Sequence, residues 1–182
     1  MNLKAMTSAL LIAGLAAPAV FATTGTITFT GSVSTVTCSI HGDDPSNPSP
    51  DFTVRIDGVN AGDMPNVGDT AGLTGFRIFV GQEGESTCTD GTKVWAHFEP
   101  GATVDPVTGG LRTTGTATGV QYRLFDKLMN RINPWDQDQG AIKETISNNQ
   151  AVLAHAAAFE RIGAVTAGTA DSSVTYSVRF EP

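Results

Sequence analysis

Positive charge is scarce in this chain: 11 Lys and Arg stand against 18 Asp and Glu in 182 residues, a net charge of −7. With a pI near 4.7, such a chain is not expected to bind nucleic acid unaided, because that binding depends on cations displacing the counterions of the phosphates. Charge of either sign is low at 16%, while 40% of the residues are hydrophobic, which excludes a solvated, disordered chain. Catalytic groupings are missing as well: there is no G-x-S-x-G, no H-E-x-x-H and no phosphate-binding glycine loop. His41, His97 and His155 fall on separate segments without metal-ligand spacing. Asp136-x-Asp138-x-Gly140 has part of a calcium-loop spacing, but Ser147 stands where the last acid is needed. No catalytic residue, no metal and no cofactor are expected, and the chain is not read as an enzyme.

Long hydrophobic runs are nearly absent too. The one run, Ala9 to Val20, follows Lys4 and has about twelve residues, too few for the roughly 20 that span a bilayer. Val20-Phe21-Ala22 then supplies the small or aliphatic positions read by a signal peptidase, so residues 1–22 are expected to be a signal peptide; the alternative is an uncleaved anchor. The mature chain from Thr23 carries 10 basic and 18 acidic residues and is expected to be exported. Cysteine is limited to Cys38 and Cys88. An oxidising compartment favours pairing them, and no C-x-x-C or Cys/His arrangement suggests a reactive thiol. Closing a loop of about 50 residues stabilises a fold by roughly 4 kcal/mol in the chain-entropy model.

What is abundant is alternation. Phe52, Val54 and Ile56 alternate with polar residues, as do Phe76, Ile78 and Val80. Val94, Ala96 and Phe98 face one way, with Lys93, Trp95, His97 and Glu99 on the solvent side. Val120, Tyr122 and Leu124 form a further run, and Val174, Tyr176, Val178 and Phe180 end the chain. Turn-rich stretches at Gly42 to Pro50, Gly81 to Glu85, Pro100 to Gly110 and Asn133 to Gly140 separate these runs. This is the pattern of an all-β antiparallel sandwich. Ala151 to Ile162 has helical propensity, but its period-two face of Leu153, His155, Ala157 and Phe159 reads as a strand among strands. Ala61 to Leu73 has no period and is expected to be an irregular connection. The alternation Ile27, Phe29, Gly31, Val33 runs towards Cys38 without a strong turn signal. Either half of it projects from the domain, or Gly31-Ser32 bends it into an ordinary first strand.

Gly25-Thr-Ile-Thr-Phe-Thr-Gly-Ser-Val33 followed by Cys38-Ser-Ile40 resembles the start of a mature pilin of chaperone–usher fimbriae, the type 1 major subunit group in particular. The resemblance recurs at Gly75-Phe-Arg-Ile78, Val94-Trp-Ala-His-Phe98, Gly119-Val-Gln-Tyr-Arg-Leu124 and Val174-Thr-Tyr-Ser-Val-Arg-Phe180, and so covers the mature chain. It implies an incomplete immunoglobulin-like sandwich that lacks its last strand. The missing strand would be supplied by a neighbouring pilin subunit or, before assembly at an outer-membrane usher, by a periplasmic chaperone. By position, residues 23–33 would be the donor strand, with Ile27, Phe29, Gly31 and Val33 facing the acceptor's groove, and residues 34–182 the pilin domain. Tyr176, Val178 and Phe180 would form the groove strand that the chaperone reads. The implied role is a structural subunit of a cell-surface fimbria that supports adhesion; the alternative is a self-contained exported immunoglobulin-like binding module. Phe180 stands where the family commonly has tyrosine, and His155 where related subunits carry a large apolar residue.

Overall fold

Apolar residues at period two become strands wherever a neighbouring run completes their hydrogen bonds. In the computed structural model, which describes residues 36–43 and 48–182, the strands are β1 (Ile40–His41), β2 (Thr70–Gly81), β3 (Lys93–Phe98), β4 (Leu111–Arg112), β5 (Thr118–Asp126), β6 (Arg131–Ile132), β7 (Glu144–Thr145), β8 (Gln150–Thr166) and β9 (Tyr176–Glu181). The expected signal peptide and the positions Ile27, Phe29, Gly31 and Val33 lie outside the described residues. Every pairing is antiparallel. One sheet has the order β1-β2-β8-β5-β4, with β6 also on β5; the other has the order β7-β3-β9. Among the described residues no helix is long and apolar enough to cross a membrane.

The inward faces of the sheets share one core, in which Phe76, Ile78 and Val80 of β2 meet Val94, Ala96 and Phe98 of β3, with Leu124 and Leu153 beside them. The alanine-rich segment is indeed a strand. β8 runs through the middle of the larger sheet, paired with β2 on one side (Phe76 opposite His155) and with β5 on the other (Leu124 opposite Ala157). Two ladders override the helical propensity of alanine. Cys38 and Cys88 are bonded, joining the chain before β1 to the turn between β2 and β3. Gly81 makes that junction possible: its φ is +71°, and a Cβ there would fall 2.1 Å from the Asn149 carbonyl and 2.5 Å from Cys88 Sγ.

Three features depart from expectation. Phe52 to Ile56 is extended and alternates between half-buried and exposed, yet it belongs to no strand. The stretch from Ala61 holds a single 3₁₀ turn, Ala61–Asp63, and turns regular earlier than expected, at Thr70. His97, on the outward side of β3, is only 6% exposed, because the loop before β7 folds over it. There the Gln139 side chain accepts from the Phe98 N–H (3.0 Å) and donates to the Phe98 carbonyl (2.6 Å), standing in for a paired strand. Alternation identifies which residues face outward but not which loop covers them.

Candidate functional site

An incomplete sandwich should betray itself by a core reached from outside and by backbone edges with no partner. Both occur along one seam. β9 pairs with β3 through one edge (Phe98 opposite Tyr176, Ala96 opposite Val178, Val94 opposite Phe180), and its other edge is unpaired among the described residues. Facing it across the seam runs the unpaired segment Phe52 to Ile56. Between them opens a groove of about 720 Å³. Tyr176, Val178 and Phe180 line one wall, Phe52, Val54 and Ile56 the other, and Phe76, Ile78, Phe98 and Leu124 form the floor. The floor is the domain's own core, contributed by both sheets.

The walls follow from the sequence. Tyr176, Val178 and Phe180 share a face because strand side chains alternate, and the β3 register turns that face inward. Phe52 reaches the same space because Gly42 has no side chain: a Cβ there would lie 2.2 Å from the Phe52 ring. An aromatic cluster then builds the middle of the groove. Phe52 lies edge-on to Tyr176 with ring centres 6.1 Å apart and tilted against Phe76 at 6.0 Å. Phe76 stacks on His155 at 5.6 Å, and His155 meets Phe98 edge-on at 5.2 Å. The Tyr176 hydroxyl donates to the Pro50 carbonyl at 2.7 Å, so one wall is tied to the other. Burial, and then the nearby Asp51 carboxylate, push the Tyr176 pKa up, which keeps that hydroxyl a donor. His155 lies inside the sandwich, its Nδ1 3.3 Å from the Leu153 carbonyl, and burial pushes its pKa below 6.5.

Both walls of the groove carry main-chain edges that no strand pairs among the described residues, and its floor is apolar, an arrangement suited to strand addition. Among the described residues no group of three or more His, Cys, Asp or Glu could hold a metal ion. Tyr176, Val178 and Phe180, singled out from the sequence, come together here. Phe52, Val54 and Ile56 form the wall that sequence reading took for an ordinary strand, and Pro50 gave no signal at all.

The E. coli F17 fimbrial protein is 30% identical to the chain over 176 residues, spanning 94% of this chain and 95% of that one. The major fimbrial subunit SMF-1 of Stenotrophomonas maltophilia is 34% identical over 167 residues, with 86% and 92% covered. Among solved structures, a chain of a chaperone–usher pilus superposes with a TM-score of 0.57 at 19% identity, covering 91% of this chain and 100% of that one. No protein-family model matches.

Proposed function

The chain belongs to the fimbrial pilins of the chaperone–usher type, and from that membership we propose that its open seam receives the N-terminal extension of a second subunit, with Ile27, Phe29, Gly31 and Val33 facing the floor. The protein is a structural subunit of a surface fimbria, its neighbours are other pilin subunits, and the role is mechanical rather than catalytic. The segment 1–22 directs export. In the periplasm a chaperone strand fills the seam along Tyr176, Val178 and Phe180, and at an outer-membrane usher the extension of the next subunit replaces it.

One observation carries this reading: an alternating apolar segment, Phe52 to Ile56, stands unpaired opposite the unpaired edge of β9 over an open core. A strand laid between them completes two ladders at once. Burying a large apolar side chain stabilises by about 1.5–3 kcal/mol, so Ile27, Phe29 and Val33 together with the ladder bonds make a joint that dissociates very slowly. No nucleotide is required, because the domain held open by the chaperone retains folding free energy until the exchange.

The test is removal and return of the strand. Deleting Thr23 to Ser32 should leave a domain that binds a chaperone but extends no polymer. A peptide of sequence Thr23 to Val33 should raise its melting temperature well above that of the untreated domain, and the same segment grafted after Pro182 through a flexible linker should give a stable monomer. A truncated chain that is monomeric, as stable as the mature protein and indifferent to the peptide has a complete sandwich, and the self-contained binding module takes the place of the pilin reading.

A further inference from the structure

An ionisable ring supports the groove floor. His155 points inward from β8, with Phe76 of β2 opposite it on one side and Asp126 of β5 on the other. It stacks on Phe76 at 5.6 Å and meets Phe98 edge-on at 5.2 Å, and both phenylalanines are floor residues. Its Nδ1 lies 3.3 Å from the Leu153 carbonyl, a bond the neutral imidazole can donate. His155 also borders a cavity of about 20 Å³, room for one water, together with Asp126, Gln139, Lys127 and Glu144. Little there would balance a charged ring. The Asp126 carboxylate is already held by the Leu128 and Asn130 N–H groups and the Asn130 side chain. Lys127 and Glu144 pair with each other, and β2 and β3 bring only the apolar Phe76, Ala96 and Phe98. Burial therefore outweighs the opposing pull of the Leu153 carbonyl and Asp126, and holds the His155 pKa below 6.5.

No other group at the seam titrates near neutrality. The ionisable side chains lining the groove are Asp51, Asp171, Tyr122 and Tyr176. Carboxylates titrate at about 4 and tyrosines at about 10, and burial raises both of these tyrosines further. His41 and His97 lie outside the groove lining, and the segment Thr23 to Val33 has no ionisable side chain. We propose that a proton on His155 and a strand in the seam oppose one another, so that acid loosens the joint between subunits. A strand laid over Phe76 and Phe98 replaces the solvent above them with apolar side chains, which makes a charge beneath them costlier. The filled seam then binds the proton more weakly than the open one, and by linkage the protonated domain holds the strand more weakly. The joint is tightest above about pH 6.5 and loosens as pH falls through the His155 pKa of the open domain. Each unit by which insertion lowers that pKa is worth about tenfold in affinity. The inference rests on the strand-insertion reading and adds to it a control by pH.

Purified polymer of the full mature chain tests this, with subunit release followed as the loss of SDS-resistant oligomer at pH 7.5 and pH 5 in the same salt and denaturant. Release should be about tenfold faster at pH 5. His155→Phe, which keeps an aromatic ring under the floor and removes the titration, should bring the two rates within about twofold. His97→Gln should keep the parental ratio, since His97 is outside the groove. If His155→Phe does not assemble, His155→Met decides in its place. Near-UV circular dichroism at pH 5 should match that at pH 7.5, because the proton acts on the joint before it unfolds the domain. Equal parental rates at the two pH values overturn the proposal, as does a pH dependence that survives in the His155 variant or vanishes in His97→Gln. A near-UV signal that collapses as subunits leave overturns it as well, since release is then unfolding. Failure of strand insertion itself has a different signature: Phe29→Asp then assembles and sheds subunits as the parent does.

Discussion

Arg123 and Glu160 meet at 2.6 Å on the outward face of the larger sheet, where both side chains are almost wholly buried. Glu160 also accepts from Gln121 (2.6 Å) and pairs with Arg131 (2.8 Å), while Arg123 donates to the Thr108 carbonyl. The turn-rich stretch before β4 folds over a face that would otherwise be wet, and this network receives it. Removing one partner of a buried pair leaves the other uncompensated, so Glu160→Ala should cost about 3–5 kcal/mol in chemical denaturation of the mature chain. The double variant Arg123→Met with Glu160→Met should cost clearly less than Glu160→Ala alone, because an apolar pair leaves no orphaned charge.

Acid should weaken the fold in two steps. His155 and His97 both have pKa values pushed below 6.5, chiefly by burial; Arg179 adds to the effect at His97, and Glu99 opposes it. The native state therefore holds fewer protons than the unfolded chain between those depressed values and 6.5. Stability is complete above about pH 6.5 and falls as pH drops through that window. Asp126, opposite His155 in the ladder, opposes the shift there without reversing it. A second decline follows from pH 3.8 down to about 2, where the unfolded chain takes up a proton before native Asp105, held down to about 2 by the Thr108 and Val107 N–H groups, does so. Denaturation midpoints measured from pH 8 to pH 2 should show both steps, and His155→Met should flatten the first.

Gln139 should matter more than an exposed loop residue normally does. Its amide serves both the N–H and the carbonyl of Phe98, and it donates to Pro134 as well. Gln139→Leu strips those partners and leaves part of the β3 edge unguarded. A loss of about 1–3 kcal/mol for an unsatisfied buried group is expected, seen as a lower melting temperature, together with more light scattering on storage.

The disulfide gives a separate expectation. Cys88→Ala should destabilise the domain by about 4 kcal/mol in the chain-entropy model, and should lower the yield of folded subunit under oxidising export. Thiol titration of native polymer should find no free thiol; two per chain would contradict the bond.

How far the sequence could be read is clearest at Phe52 to Ile56. Alternation correctly marked the segment as extended and half-buried. It said nothing of whether the ladder partner lies in the same chain, since period two depends on the faces of a strand and not on its edges. Tyr176, Val178 and Phe180 could be seen to share a face for the same reason, and the resemblance to pilins assigned that face to a groove without saying that Phe52 to Ile56 forms the wall opposite. Arg123 and Glu160 were not legible, because charged residues at outward positions of a strand read as solvated until a covering loop is seen. Pro50 escaped notice because only its carbonyl acts, and every residue has one.

The bond between Cys38 and Cys88 also governs how a subunit carries tension. On the proposed donor-strand assembly, force would enter a subunit near residue 36 and leave through the walls of its groove, of which β9 is one. The covalent link passes that force from Cys38 directly to Cys88, and onward through β3 to β9 by their shared ladder. The chain between the cysteines, a sequence separation of 50, is thereby bypassed on the route to β9, although the other wall, Phe52 to Ile56, lies within it. At about 3.3–3.6 Å per residue it represents roughly 170 Å of slack that stretching cannot pay out while the bond is intact. Reduction would turn a stiff link into an extensible one.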